Sequence, residues 1–273
     1  MMFRELFRPK RRWWFVASTA VGGASIVAAG AATWWRGWSP GDWWGLTFGT
    51  AAALLMFVAA LYPWRRRIAR WPLQTAQDWL QLHVYGSTLA AVFVLIHMGF
   101  RWPVGQFGWW LFGLTVWTTG SGLLGVFLQK WIPLMLADQL MVEAIFERIP
   151  ELVAALQREA EQVMIDAPDV LQRFYESQVR GSFATLQPSW SYLLDVHSGR
   201  DRRLAAFTHM QAFVTENDRG RLTDLQTLVT EKMELDAHYT LQRLMRLWPI
   251  VHVPPSIALL AAVAAHIAAV WYY

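Results

Sequence analysis

Five long apolar stretches dominate this sequence: Trp13 to Trp35, Trp43 to Pro63, Trp79 to Trp102, Trp109 to Trp131 and Trp248 to Tyr273. A bilayer hydrocarbon core is crossed by about 20 helical residues. Within it every backbone N–H and C=O must find its partner inside the segment, which an α-helix achieves by itself. These stretches therefore predict an all-α fold, an integral membrane bundle of five transmembrane helices. Nearly all of them begin or end on tryptophan, whose apolar body and single polar N–H favour the bilayer–water boundary. The chain is 55% hydrophobic and only 16% charged, against about 25% charged in an ordinary soluble protein. The first stretch is too long for the apolar core of a signal peptide.

The charges are unevenly distributed. Residues 138–247 hold 17 of the 20 acids and 12 of the 24 bases, a local balance of −5 that leaves +9 on the rest of the chain. The expected organisation is a four-helix transmembrane region at 1–135, an acidic helical insert at 136–247, and a last transmembrane helix at 248–273. Apolar positions such as Leu140, Ile145, Leu152, Leu156 and Val163 recur at helical spacing in the insert. Turn signals at Pro150, Ala167-Pro168, Gln187-Pro188 and Ser198-Gly199 divide it into short helices. The isoelectric point of 9.6 does not point to nucleic acid, because the excess bases flank apolar runs. Arg4, Arg8, Lys10, Arg11 and Arg12 precede the first span, and Arg65, Arg66, Arg67 and Arg70 follow the second, whereas the alternate connections carry only Arg36 and Arg101. The positive-inside rule then places the amino terminus and the insert in the cytoplasm and the carboxyl terminus outside. The third and fifth helices run from inside to outside.

Each of those two helices carries two histidines, His83 and His97 on the third and His252 and His266 on the fifth. Both pairs are fourteen residues apart. At about 100° per residue that spacing returns to within roughly 40° of the starting face, and at about 1.5 Å rise it separates two levels by about 21 Å. Parallel helices match His83 with His252 near the inner surface and His97 with His266 near the outer one. The chain has no cysteine, which excludes iron–sulfur clusters, thiolate zinc sites, disulfides and cysteine nucleophiles. An imidazole pair offers two axial nitrogens to a haem iron, and an apolar cleft between helices supplies the burial that tunes it. Two such pairs predict two haem b groups, with all four histidines as metal ligands.

Intramembrane ionisable groups are rare and usually functional, and the repeated spacing on parallel helices strengthens that reading over interhelical hydrogen bonding or a proton relay. Small residues leave room for a macrocycle at Gly86, Gly99, Gly120, Gly122 and Gly125, and along Ala258, Ala261, Ala262, Ala264 and Ala265. The bland reading of each is a helix-packing face. Haem propionates call for cationic partners, available as Arg65, Arg66, Arg67 and Arg246 inside and Arg101 outside; the bland reading of the 65–67 run is a topological anchor. His197, His209 and His238 fall in the insert with no metal-ligand spacing and read as surface residues.

The segments HVYGSTLAAVFVLIH (His83 to His97) and HVPPSIALLAAVAAH (His252 to His266) resemble the two haem-binding helices of membrane di-haem cytochromes b, as in the quinol-oxidising cytochrome bc complexes. The prolines soon after His252 are similar too. Pro254 and Pro255 remove two helix hydrogen bonds and are expected to kink or start the helix. The haem domain of ferric reductases and NADPH oxidases is a second resemblance, since it also carries its histidine pairs on its third and fifth helices. The chain departs from both. It lacks the later helices and quinol-site motif of the first and any flavin or nicotinamide domain, and the insert belongs to neither pattern.

Together these resemblances imply an electron-transfer subunit of a larger oxidoreductase complex in a respiratory chain, set in a bacterial inner membrane. It would pass electrons across the lipid bilayer between quinone and a redox protein partner such as a c-type cytochrome or an iron-sulfur subunit. No catalytic residue is assigned, and no phosphate-cradling loop, dinucleotide fingerprint or nucleophile motif occurs. Two alternatives stand beside this expectation: a haem-only transmembrane reductase of ferric iron or oxygen fed by a separate flavoprotein, and a haem-free membrane anchor.

Overall fold

The computed structural model describes residues 12–37, 39–65, 75–136, 146–193 and 199–272. The basic arm before Arg12, the bases Arg66, Arg67 and Arg70, and His197 lie outside them. Every regular element among the described residues is helical, and the architecture is all-α. Nine helices are named here: α1 (Arg12–Arg36), α2 (Trp43–Ala60), α3 (Ala76–His97), α4 (Gly105–Leu136), α5 (Ile149–Val163), α6 (Asp169–Phe174), α7 (Arg180–Phe183), α8 (Arg200–Met210) and α9 (Arg219–Tyr272). Helices α1 to α4 and α9 are long and apolar enough to cross a membrane. The chain divides into two compact units, one formed by Met1–Phe127 with Trp248–Tyr273, the other by Leu128–Leu247.

In the first unit α3 is the central element, with α2 and α1 packed against it. Its start is fixed locally. Thr75 Oγ1 accepts from Asp78 N while the Asp78 carboxylate accepts from Thr75 N, a reciprocal capping box that satisfies two otherwise orphaned donors. Its end is equally defined, because Gly99 (φ 62°) and Phe100 (φ 54°) turn left-handed, and the Phe100 N–H closes back onto Leu95 O at 3.0 Å. The seam between helices buries Ala29, Ala52, Phe93 and Ile96, with Phe48 and Phe93 edge-to-face at 5.4 Å. Small residues on α1 and α2 let the backbones approach, as in lipid-embedded bundles where packing rather than water exclusion drives association.

Helix α9 runs unbroken for 54 residues through Pro249, Pro254 and Pro255. It neither starts nor breaks at the prolines, and its apolar carboxyl-terminal half begins at Trp248. Pro255 has no N–H to give Val251 O, four residues earlier. That carbonyl instead accepts from the Trp117 indole on α4 at 3.1 Å, the kind of substitution by a neighbouring helix that lets proline persist inside a bilayer.

The second unit is organised like a water-soluble domain. Proline starts α5 at Pro150, Pro168 caps α6, and Gly199 (φ 81°) caps α8, so each turn signal marks a boundary. Met164, Leu171, Phe174, Phe207, Leu225 and Val229 belong to its main core. A buried ion pair crosses it: Lys232 Nζ lies 2.6 Å from Asp236 Oδ2, with the two side chains 1% and 0% exposed. Lys232 also donates to Thr185 O at 2.9 Å, and Asp236 Oδ1 accepts from Gln187 N at 2.9 Å, so the pair tethers the 184–189 connection to α9. Burial pulls the Lys232 ammonium below its usual pKa and pushes the Asp236 carboxyl up, each opposed by the partner. The pair is thus costly to bury and costlier to break.

Candidate functional site: two facing histidine pairs

The four membrane histidines meet as two pairs, both inside the first unit. The ring centres of His83 and His252 are 6.3 Å apart with planes at 83°, and those of His97 and His266 are 6.4 Å apart at 75°. Because the lower-numbered members pair together and the higher-numbered members pair together, α3 and α9 run in the same direction. The fourteen-residue spacing then separates the pairs by about 21 Å along the helices.

Hydrogen bonds at the far side of the rings fix which nitrogen carries the proton. His83 Nδ1 lies 2.9 Å from Ala59 O, and His97 Nδ1 lies 2.8 Å from Gly45 O. A carbonyl only accepts, so in both rings Nδ1 is protonated and Nε2 holds the lone pair. His252 Nδ1 lies 2.9 Å from Ser121 Oγ. The same hydroxyl lies 3.2 Å from Thr118 O. The His83 and His97 rings thus present Nε2 as the basic nitrogen, the tautomer that a metal-bound imidazole holds when its other nitrogen is tied to a carbonyl.

The surrounding residues shape the space. A Cβ on Gly49 would lie 2.8 Å from His97 Nδ1, and one on Gly122 would lie 3.2 Å from His252 Cε1; both glycines let a helix backbone sit against an imidazole. At Gly125 the added Cβ would run into the Trp248 indole. Trp248 stacks on His252 with centres 5.2 Å apart and planes at 14°, Tyr62 lies 5.1 Å from His83, and Phe107 lies 6.4 Å from His266. His252 is buried, and the other three rings are partly so.

The remaining sequence candidates fall as follows. Arg65 is half-buried, its guanidinium 4.3 Å over the ring of Tyr62, the neighbour of His83, and Nη1 donating to Tyr62 O. Arg101 is exposed on the connection after α3. Arg246 belongs to the second unit, where it pairs with Glu147 at 2.5 Å and lies 4.3 Å over Phe146. Gly86 is buried on α3 with only Leu82 near, and Gly120 is open. Gly99 serves the left-handed turn that ends α3. In the insert, His209 is exposed, whereas His238 is half-buried, its Nδ1 without a hydrogen-bond partner and its pKa lowered by burial.

Sequence reasoning missed Gly45 and Gly49 on α2, Ser121 on α4, and Trp248. A readable signal existed for the first two, whose four-residue spacing is the small-residue pattern of close helix contact.

Each pair brings two imidazoles together and no more. Among the described residues no three His, Cys, Asp or Glu side chains gather where they could hold a metal ion, whereas zinc sites draw three or four ligands from the protein. A porphyrin brings four nitrogens of its own and asks only for axial ones. With metal–imidazole bonds of about 2.0–2.1 Å, two axial rings on one iron have centres roughly 6.3 Å apart. The observed 6.3 and 6.4 Å fit that requirement. Compared with known protein families, curated proteins and solved structures, the chain matches none.

Proposed function

We propose that this protein is a membrane electron-transfer subunit that holds two b-type haems, one between His83 and His252 and the other between His97 and His266. The observation that carries the reading is the pairing itself, two imidazole pairs at ring separations suited to axial ligation, with Nδ1 tied back in three of the four rings.

When bound, haem supplies one-electron chemistry at the iron, while the protein sets its potential through axial ligands, their hydrogen bonds and burial. This chain's residues divide the rest. Ala59 O, Gly45 O and Ser121 Oγ orient the rings and raise the basicity of Nε2. Apolar α3 and α9 exclude water, which disfavours added charge, and Arg65 over the Tyr62 ring is placed to meet a propionate. On the inward-basic orientation of the sequence, the two centres lie toward opposite faces of the bilayer, and electrons cross between them. Quinone at one face and a redox protein at the other, a c-type cytochrome or an iron-sulfur subunit, remain the exchange partners in this reading. The setting is a bacterial inner membrane.

The test is vectorial. In proteoliposomes containing the full chain and trapped ferricyanide, a membrane-impermeant external reductant is expected to reduce the trapped acceptor, and protein-free vesicles are not. Equal rates with and without the chain would remove the transmembrane electron-transfer reading.

A further inference from the structure

The two pairs are not equivalent. His83 and His97 rest on backbone carbonyls, which every residue type supplies. His252 rests on side chains. Its Nδ1 is hydrogen-bonded to Ser121 Oγ, and its ring face lies against Trp248 one helical turn earlier. These two supports are themselves joined, because the Trp248 indole N–H donates to Ser121 O at 2.7 Å. The indole occupies a notch that exists only because residue 125 is glycine. Trp117, on the same stretch of α4, donates to Val251 O, so α4 is bonded to α9 at two points in the turn that leads into His252.

A ring held at its edge and on one face has a fixed plane. The plane of an axial imidazole decides how its π-orbital meets the iron d-orbitals, and the Nδ1–H bond decides how strongly Nε2 donates. We propose that Ser121 and Trp248 are positioning residues that lock the His252 imidazole in orientation and tautomer, and so tune the inner centre independently of the outer one. The tuning of a haem rests on the electron-transfer reading above, whereas the locking of the ring does not.

The experiment compares the full chain with Ser121→Ala, Ser121→Thr, Trp248→Ala and Trp248→Phe, using two readouts. On haem-loaded protein, redox titration followed by optical and EPR spectra is expected to show one haem changed and the other untouched. Ser121→Ala raises the midpoint potential of that haem, because a weaker Nδ1–H bond makes Nε2 a poorer donor to ferric iron; Ser121→Thr restores it. Trp248→Ala broadens the low-spin EPR signal of the same haem, and Trp248→Phe, which keeps a stacking face, recovers most of it. The second readout is 15N NMR of the histidine rings, in reduced or haem-free chain. The His252 signals move in Ser121→Ala and return in Ser121→Thr, while those of His97 stay fixed.

Movement of the His252 signals in a chain that binds no haem would uphold the locking and overturn the haem reading. Unchanged His252 signals in both alanine variants, or equal changes at His97, would overturn the locking. So would equal shifts of both haem potentials.

Discussion

The two units solve opposite solvation problems with one chain. In the first, large apolar side chains in mid-helix face outward: Val27 is 73% exposed, Leu54 61% and Ile257 62%, as a lipid-facing surface requires. The interior of its helix seam is built from small residues and a few aromatics. In the second, apolar side chains gather inside, with Leu225 and Ala237 wholly buried, and ion pairs such as Arg180–Glu176 and Arg219–Glu216 lie on the surface. Polar groups taken inside differ in the same way. The second unit buries a full ion pair, whereas the first encloses imidazoles, three of them with Nδ1 tied to a backbone carbonyl or a serine hydroxyl. The difference teaches where each unit is fragile: one depends on satisfying a buried charge, the other on placing rings.

The sharpest way to break this contrast is to orphan the buried charge. Asp236→Asn leaves Lys232 without its anion, and removal of one partner of a buried pair costs about 3–5 kcal/mol. Chemical denaturation followed by near-ultraviolet circular dichroism is expected to show the second unit losing stability on that scale. The double change Lys232→Met with Asp236→Leu is expected to recover most of it. A single variant as stable as the parent would mean that the pair is not buried as described.

Next in size is the loss of one imidazole of the His97/His266 pair. If both pairs hold haem, His97→Ala is expected to halve the haem content and leave the spectrum of the His83/His252 haem in place. Observing His83 and His266 on the same iron instead would contradict the parallel arrangement of α3 and α9.

Smaller again is the response to voltage. Transfer across about 21 Å of a core of about 30 Å traverses roughly two-thirds of the field, or about 1.5 kcal/mol per 100 mV. That amounts to about a tenfold shift in the equilibrium between the haems. In proteoliposomes an inside-negative potential is expected to move electrons from the His83/His252 haem toward the His97/His266 haem. Redox populations that stay fixed as the potential varies would place both centres at one depth.

The smallest expected effect on the haems comes from the insert. Joining residues 149 and 236 by a short linker is expected to leave the haem spectra nearly unchanged, while co-purification of partner subunits falls. Loss of both haems on this deletion would abolish the division of labour between the units.

How legible all this was in the sequence varies with the physics involved. The spans could be read because hydrocarbon thickness imposes a length and an apolar content that any such helix must meet. The histidine pairing could be read because spacing along two parallel helices fixes level and face. The rings' hydrogen-bond partners could not. Ala59 O and Gly45 O are backbone atoms with no side-chain signature, brought to His83 and His97 only by the packing of α2 on α3. Ser121 and Trp248 are ordinary residues until α4 and α9 meet. The prolines after His252 pointed to a kink or a helix start; α9 instead runs on through them, and the carbonyl that Pro255 leaves free finds a distant donor, Trp117, visible only in three dimensions. His238 read as a surface residue because its spacing carries no ligand pattern, yet it is half-buried in the folded insert.

If both histidine pairs are haem sites, a reduced-minus-oxidised visible spectrum of the purified full chain, with haem quantified against protein, is expected to show a b-type difference spectrum and two haems per chain, falling to one in His97→Ala. A haem-free chain, or haem content unaffected by changing any of His83, His97, His252 or His266, would contradict the haem reading.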